Sequence, residues 1–149
     1  YHILILAQIV LTLKRSMENC VFCKIIKGEL SAYKIDENEL FCSFLSIGPL
    51  KSGHSLIIPK IHVDDFFEME ERSLQQILIY AKGISLALKK AFSPKSGKVG
   101  LMVAGLEVPH AHLHLIPMDS LEDLDFSNAG KASAEELKEI QQKILSVLN

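Results

Sequence analysis

Cysteine is scarce in this sequence: the three thiols, Cys20, Cys23 and Cys42, are too few and odd in number for a disulfide scaffold. A reducing compartment, the cytoplasm, is therefore expected. Excess positive charge is missing too. The net charge is -2 and no dense Lys/Arg run occurs, which removes the electrostatic case for a nucleic-acid partner. A small anionic ligand needs only local donors and stays compatible. The apolar run from Ile3 to Leu13 is too short to span a bilayer unaided, so no stable membrane insertion is expected. Lys14 and Arg15 follow that run, whereas a secretory signal carries its charge in front and ends at a small-residue site. Residues 1–16 read as a leader ahead of a start at Met17, with an N-terminal helix or membrane-surface segment as the other reading. Repeats, low-complexity tracts and linkers are also lacking, and residues 17–149 read as one domain, long enough to bury a core.

What is present fits an α+β domain. "CVFCKIIKGEL" predicts a short helical turn closed by Gly28. "SAYKI" and "ELFCSFL" are β-prone, with polar "DENE" as a hairpin connection, and "HSLIIP" adds a strand ending at Pro59. A long helix follows, with Leu74, Ile77, Leu78, Ala81, Ile84, Ser85, Leu88 and Phe92 at three- and four-residue spacing and a Ser73–Gln76 capping box at its start. "VGLMVAG" and "HAHLHLIP" read as further strands. Ser133 with Glu136 predicts a second capping box, for a C-terminal helix striped by Leu137, Ile140, Ile144 and Leu148.

Half of the six histidines lie within His110 to His114. In a strand, His110, His112 and His114 share one face while Ala111, Leu113 and Leu115 take the other, and successive rings stand roughly 6–7 Å apart. Three readings compete: decoration of an exposed sheet face, a metal claw, and a nucleophilic imidazole with electrophilic and acid–base helpers. Ala111, Leu113 and Leu115 supply no carboxylate beside the rings, which weakens a triad-bound hydrolytic metal. A neutral imidazole can attack phosphorus and later leave, and it carries protons near neutral pH. Independently, Cys20 and Cys23 form a Cys-x-x-Cys pair able to bring two thiolates to one zinc, while Cys42 reads as a buried core thiol.

"HAHLHLIP", preceded by "CVFCKIIKGELSAYKI", "FCSFLSIGPLKSGHSLIIPKIH" and "GLMVAGLEVPHAHLHLIP", resembles the histidine-triad superfamily of nucleotide hydrolases and transferases, most of all its small bacterial-type members. The resemblance spans about Cys20 to Pro117. It implies a five-stranded antiparallel sheet with the long helix packed on it and a C-terminal helix, a homodimer, and a purine nucleotide attacked at its α-phosphorus without a required magnesium ion. By position it implies His112 as nucleophile, His114 as helper of the leaving group, and His110 and His54 as holders of phosphate oxygens. Phe44, Ser46, Ile47 and Glu107 fall at its nucleotide-contacting positions. For members that bind structural zinc, it implies Cys20, Cys23, His62 and His110 as the ligand set, with His110 then positioning His112.

Two departures weaken the implied activity. Ser46 stands where many members carry Asp to grip the ribose, and lacks a charge-assisted bidentate bond. Leu106 stands in a Gln position and cannot donate to phosphate, while Glu107 beside it adds negative charge. The expected function is hydrolysis of a nucleoside phosphoramidate, acyl-nucleotide or dinucleoside polyphosphate through a nucleotidyl-histidine. The alternative is a nucleotide-binding or interaction protein whose hydrolysis is vestigial.

Overall fold

Short β-branched and aromatic runs, each closed by a polar turn, build a sheet whose two faces are both covered. The structure, a computed structural model, describes residues 2–148; Tyr1 and Asn149, the outermost residues of the two ranges expected from sequence, lie outside the described residues. Helix α1 (His2–Asn19) leads into α2 (Val21–Ile26), followed by β1 (Lys34–Glu37), β2 (Phe41–Leu45) and β3 (Ser55–Pro59). The long helix α3 (Glu71–Phe92), β4 (Lys98–Val103), β5 (Leu113–Met118) and α4 (Ala134–Leu145) complete the chain. The five strands form one antiparallel sheet in the order β1-β2-β3-β5-β4, the α+β architecture expected. The β1–β2 hairpin turns on Asn38, whose Oδ1 accepts the N–H groups of Leu40 and Phe41, both at 2.8 Å.

Alternation in the strands divides the apolar residues between two clusters. Leu45, Ile57, Leu113 and Leu115 pack with Ile77, Ala81, Ile84 and Leu88 of α3 and with Leu137 and Ile144 of α4. Cys42, Phe44, Leu56 and Ile58 meet Cys20, Phe22, Cys23 and Ile25 from the α2 segment on the opposite face. Cys42 is a buried free thiol, as expected. Helix α1 runs through Ser16 and Met17 without a break, and its apolar residues from Ile3 to Leu13 are largely exposed. Among the described residues no helix is long and apolar enough to cross a membrane.

Three local expectations need correction. Helix α3 starts at Glu71, so Ser73 already lies in its first turn and no Ser73–Gln76 capping box forms; Glu71 places negative charge at the positive helix end instead. Leu78 sits a quarter turn off the Ile77–Ala81–Ile84–Leu88 stripe and is exposed. Strand β5 starts at Leu113, not at His110, because the preceding backbone finds other partners: Ala111 N–H donates to the Val63 carbonyl at 2.6 Å and His110 N–H to Val108 at 2.8 Å. The facing alternation survives this, with Ala111 buried in the α3 cluster beside Leu113. The Ser133–Glu136 capping box does form, with bonds of 3.1 and 2.7 Å.

One glycine decides where His54 sits. Gly53, immediately before His54, has φ +88°, and a Cβ there would stand 2.5 Å from the Phe92 ring. Only glycine lets the chain turn this tightly over α3 and enter β3 with His54 buried.

Candidate active site

The histidine row is built from three elements: the end of the loop 104–112, strand β5, and the turn that ends at His54. All four imidazoles, His54, His110, His112 and His114, are buried. The rings of His112 and His114 have centroids 5.0 Å apart, closer than the strand rise alone gives, because their planes meet edge to face at 68°.

Hydrogen bonds define which nitrogen of each ring carries a proton. Leu50 N–H donates to His54 Nδ1 at 3.0 Å, which leaves the His54 proton on Nε2. That Nε2–H faces His114 Nδ1 at 2.9 Å, so His114 accepts there and carries its own proton on Nε2. His112 Nδ1 lies 2.7 Å from the His110 carbonyl, which can only accept, and the Nε2 lone pair of His112 is left open. His110 Nε2 donates to the Pro59 carbonyl at 2.8 Å, turning its bare Nδ1 away from the other three rings.

Burial keeps the His54–His114 pair uncharged. Desolvation pushes His54 down to about 4, and desolvation, then the neighbouring His54 and His112, push His114 down to about 3. His110 is lowered for the same first reason. Above the unfolded-state value of about 6.5 both states are neutral and the pair contributes no pH dependence. As pH falls below 6.5 the unfolded chain binds protons that the folded pair refuses, and stability is lost toward the folded values near 4 and 3. Denaturant unfolding of metal-free protein is therefore expected to lose on the order of 3 kcal/mol between pH 7 and pH 5. A flat profile across that window would contradict the buried neutral pair.

The residues at the expected nucleotide-contacting positions divide. Phe44 is buried edge-on to Phe22, with centroids 5.5 Å apart, and Phe22 in turn meets His112 at 5.2 Å. Ser46 follows β2, half-buried, with its N–H donated to the His54 carbonyl at 2.9 Å; Ile47 next to it is exposed. Glu107 and Leu106 lie exposed on the loop 104–112. Leu106 lines a cleft of about 390 Å³ together with His112, Phe67, Val103 and Asp64. Two aromatic neighbours of the histidines have no counterpart in the sequence reading. Phe22 is legible afterwards as the aromatic residue inside the Cys-x-x-Cys pair. Phe126, whose ring meets His114 at 5.0 Å from a short 3₁₀ turn, carries no sequence signal at all.

Cys20, Cys23, His62 and His110 converge, with one donor atom from each lying within 4.8 Å of all the others. His110 Nδ1 is 3.4 Å from Cys20 Sγ, 3.6 Å from Cys23 Sγ and 3.2 Å from His62 Nδ1, and His62 Nδ1 is 3.2 Å from Cys23 Sγ. A tetrahedral ion with ordinary metal–sulfur and metal–nitrogen bonds has ligand–ligand edges of about 3.3–3.8 Å. The donor set and its spacing therefore fit a single tetrahedral metal ion. Burial, then the hydrogen bond and charge of Cys20, push the Cys23 thiol up to about 11, so an ion entering here displaces the Cys23 proton.

A family model described as HIT domain matches residues 27–121. A HIT-like protein of Borreliella burgdorferi is 37% identical over 135 residues, which cover 86% of this chain and 97% of the relative. The adenosine 5'-monophosphoramidase of Schizosaccharomyces pombe is 36% identical over 107 residues, covering 70% of this chain and 77% of its own. A Zn-bound histidine triad family protein from Mycobacterium smegmatis superposes with a TM-score of 0.75 at 25% identity, covering 89% of this chain and 94% of that one. With the match extending over most of the domain, and with the triad, its buried partner His54 and the Cys/His cluster in place, this chain belongs to the HIT-domain family.

Proposed function

We propose that the protein hydrolyses a purine nucleotide conjugate at its α-phosphate through a covalent nucleotidyl-His112. The observation that carries this is the fixed tautomer of His112: Nδ1–H is held by the His110 carbonyl at 2.7 Å, which aims an unprotonated Nε2 as nucleophile. In the first step the Nε2 lone pair forms a bond to the α-phosphorus, and the bond from phosphorus to the leaving group breaks. His114 Nε2–H, backed by His54 and Leu50 N–H, offers a pre-aimed donor to the oxygens as charge develops on them. The pair is neutral in the empty site. An anionic phosphate brought against it raises its proton affinity, so the proton an amine leaving group needs enters together with the substrate. Water then attacks phosphorus and gives a proton to the His114 Nε2 that the leaving group left bare, the P–N bond to His112 breaks with its electron pair returning to Nε2, and the nucleoside monophosphate departs.

Phe44, Ser46 and Ile47 are proposed as the nucleoside side of the site and Leu106 and Glu107 as the loop facing the phosphate. The fit of Cys20, Cys23, His62 and His110 supports structural zinc, held outside the reacting groups, with His110 thereby a positioning residue for His112. A zinc ion bound there would fix the His110 ring, and through its carbonyl the His112 ring, without touching substrate. The S. pombe relative's name, an adenosine 5'-monophosphoramidase, supports an amine as one leaving group. A homodimer is proposed from the resemblance.

Release of AMP from adenosine 5′-phosphoramidate in ¹⁸O-labelled water tests the reading. One labelled oxygen per AMP is expected, on the phosphate. AMP binding by calorimetry with no release from phosphoramidate, acyl-nucleotide or dinucleoside polyphosphate would instead support the binding-protein alternative.

A further inference from the structure

His62 reaches the Cys/His cluster through Nδ1, which leaves Nε2 on the far side of the ring. There it meets the hydroxyl of Ser16, at 3.1 Å, across 46 residues of sequence. Ser16 belongs to the last turns of α1, and it is half-buried whereas its neighbours Lys14, Arg15, Met17 and Glu18 are exposed. The backbone then closes toward the cluster, with Cys20 N–H directed to the Met17 carbonyl at 3.3 Å. One short stretch of chain thus supplies both a thiol of the cluster and a polar partner for an imidazole of the same cluster.

The geometry points to Ser16 as a positioning residue for the metal centre. This rests on the metal-binding part of the function proposed above. With Ser16 Oγ accepting from His62 Nε2–H, the ring is held in the tautomer whose Nδ1 lone pair faces the two sulfurs and His110. Loss of the hydroxyl frees the ring to rotate and lets the proton move to Nδ1, and either change removes the ligand. Outer partners of metal-bound histidines change metal affinity by roughly 10–100-fold in this way. His110 has the equivalent support from the Pro59 carbonyl, so Ser16 completes a pair of orienting acceptors, one for each imidazole.

The test is zinc affinity of the full chain, measured by competition with a chromophoric chelator, for wild type, Ser16→Ala and Ser16→Thr. Ser16→Ala is expected to weaken zinc by about 10–100-fold. Ser16→Thr keeps a hydroxyl and is expected to stay within about threefold of wild type, with metal-free melting of all three proteins agreeing to about 2 °C. Equal affinity for Ser16→Ala and wild type overturns the assignment, as does a Ser16→Ala loss that Ser16→Thr fails to restore. A large drop in metal-free melting makes Ser16 a folding residue and overturns it too. If wild type itself takes up no zinc, the metal reading fails along with it; if wild type binds and Ser16→Ala binds equally, only the role of Ser16 falls.

Discussion

Replacing His112 with alanine is expected to lower release of AMP from adenosine 5′-phosphoramidate by three orders of magnitude or more, because the group proposed to form the covalent intermediate is gone. AMP affinity is expected to stay within a few-fold of wild type, since the Phe22–Phe44 aromatic pair and the His54–His114 pair remain in place. The effect exceeds that expected for either member of that pair, whose proposed role is to stabilise charge and not to form the bond. His54→Ala removes the donor to His114 Nδ1 and is expected to cost roughly 10²–10³ in kcat, the scale of losing one pre-aimed donor. The contrast between the two variants separates nucleophile from supporting donor. Phosphoramidate turnover by His112→Ala within tenfold of wild type would sink the covalent mechanism.

Most of what positions this site was legible in the sequence, and for a physical reason. A period of two forces residues to opposite faces, so alternation alone assigns Ala111, Leu113 and Leu115 to the core beneath the long helix. The structure places them there. What periodicity could not supply is where pairing begins. His110 and Ala111 donate their N–H groups to Val108 and Val63, contacts set by loop geometry, and the strand starts three residues late. The three rings consequently do not form an even row. His110 is turned into the Cys/His cluster, where both of its ring nitrogens are engaged, while His112 and His114 close to 5.0 Å. The Cys-x-x-Cys spacing announced half of that cluster. His62, 39 residues from Cys23, and His110, 87 residues from it, could be added only by resemblance, because a contact across that separation leaves no local pattern. Phe126 and Ser16 show the same limit: each meets a histidine through tertiary packing and neither sits in a recognisable motif.

The cluster also predicts a coupling between metal and stability that is large for so small a site. A zinc ion taken up as proposed would favour the folded donor set over the unfolded chain, so its contribution would grow with the ratio of free metal to dissociation constant. At a thousandfold excess over that constant the gain is about 4 kcal/mol, which for a chain of this size corresponds to roughly 10 °C in melting temperature. Treatment with a strong chelator is expected to lower melting by that amount, and readdition of zinc to restore it. Cys20→Ser with Cys23→Ser is expected to melt at the chelated temperature and to ignore both treatments. The direction with pH follows from the thiols: Cys23 is pushed up to about 11 by burial, so binding must expel its proton. Apparent affinity therefore weakens as pH falls, by about tenfold per pH unit for the Cys23 proton. Turnover should respond far less than stability. A metal held there as proposed would reach His112 only through the His110 ring and its carbonyl, so a loss of about tenfold on chelation fits that indirect path. Loss of all activity, with melting unchanged, would place the metal among the reacting groups instead.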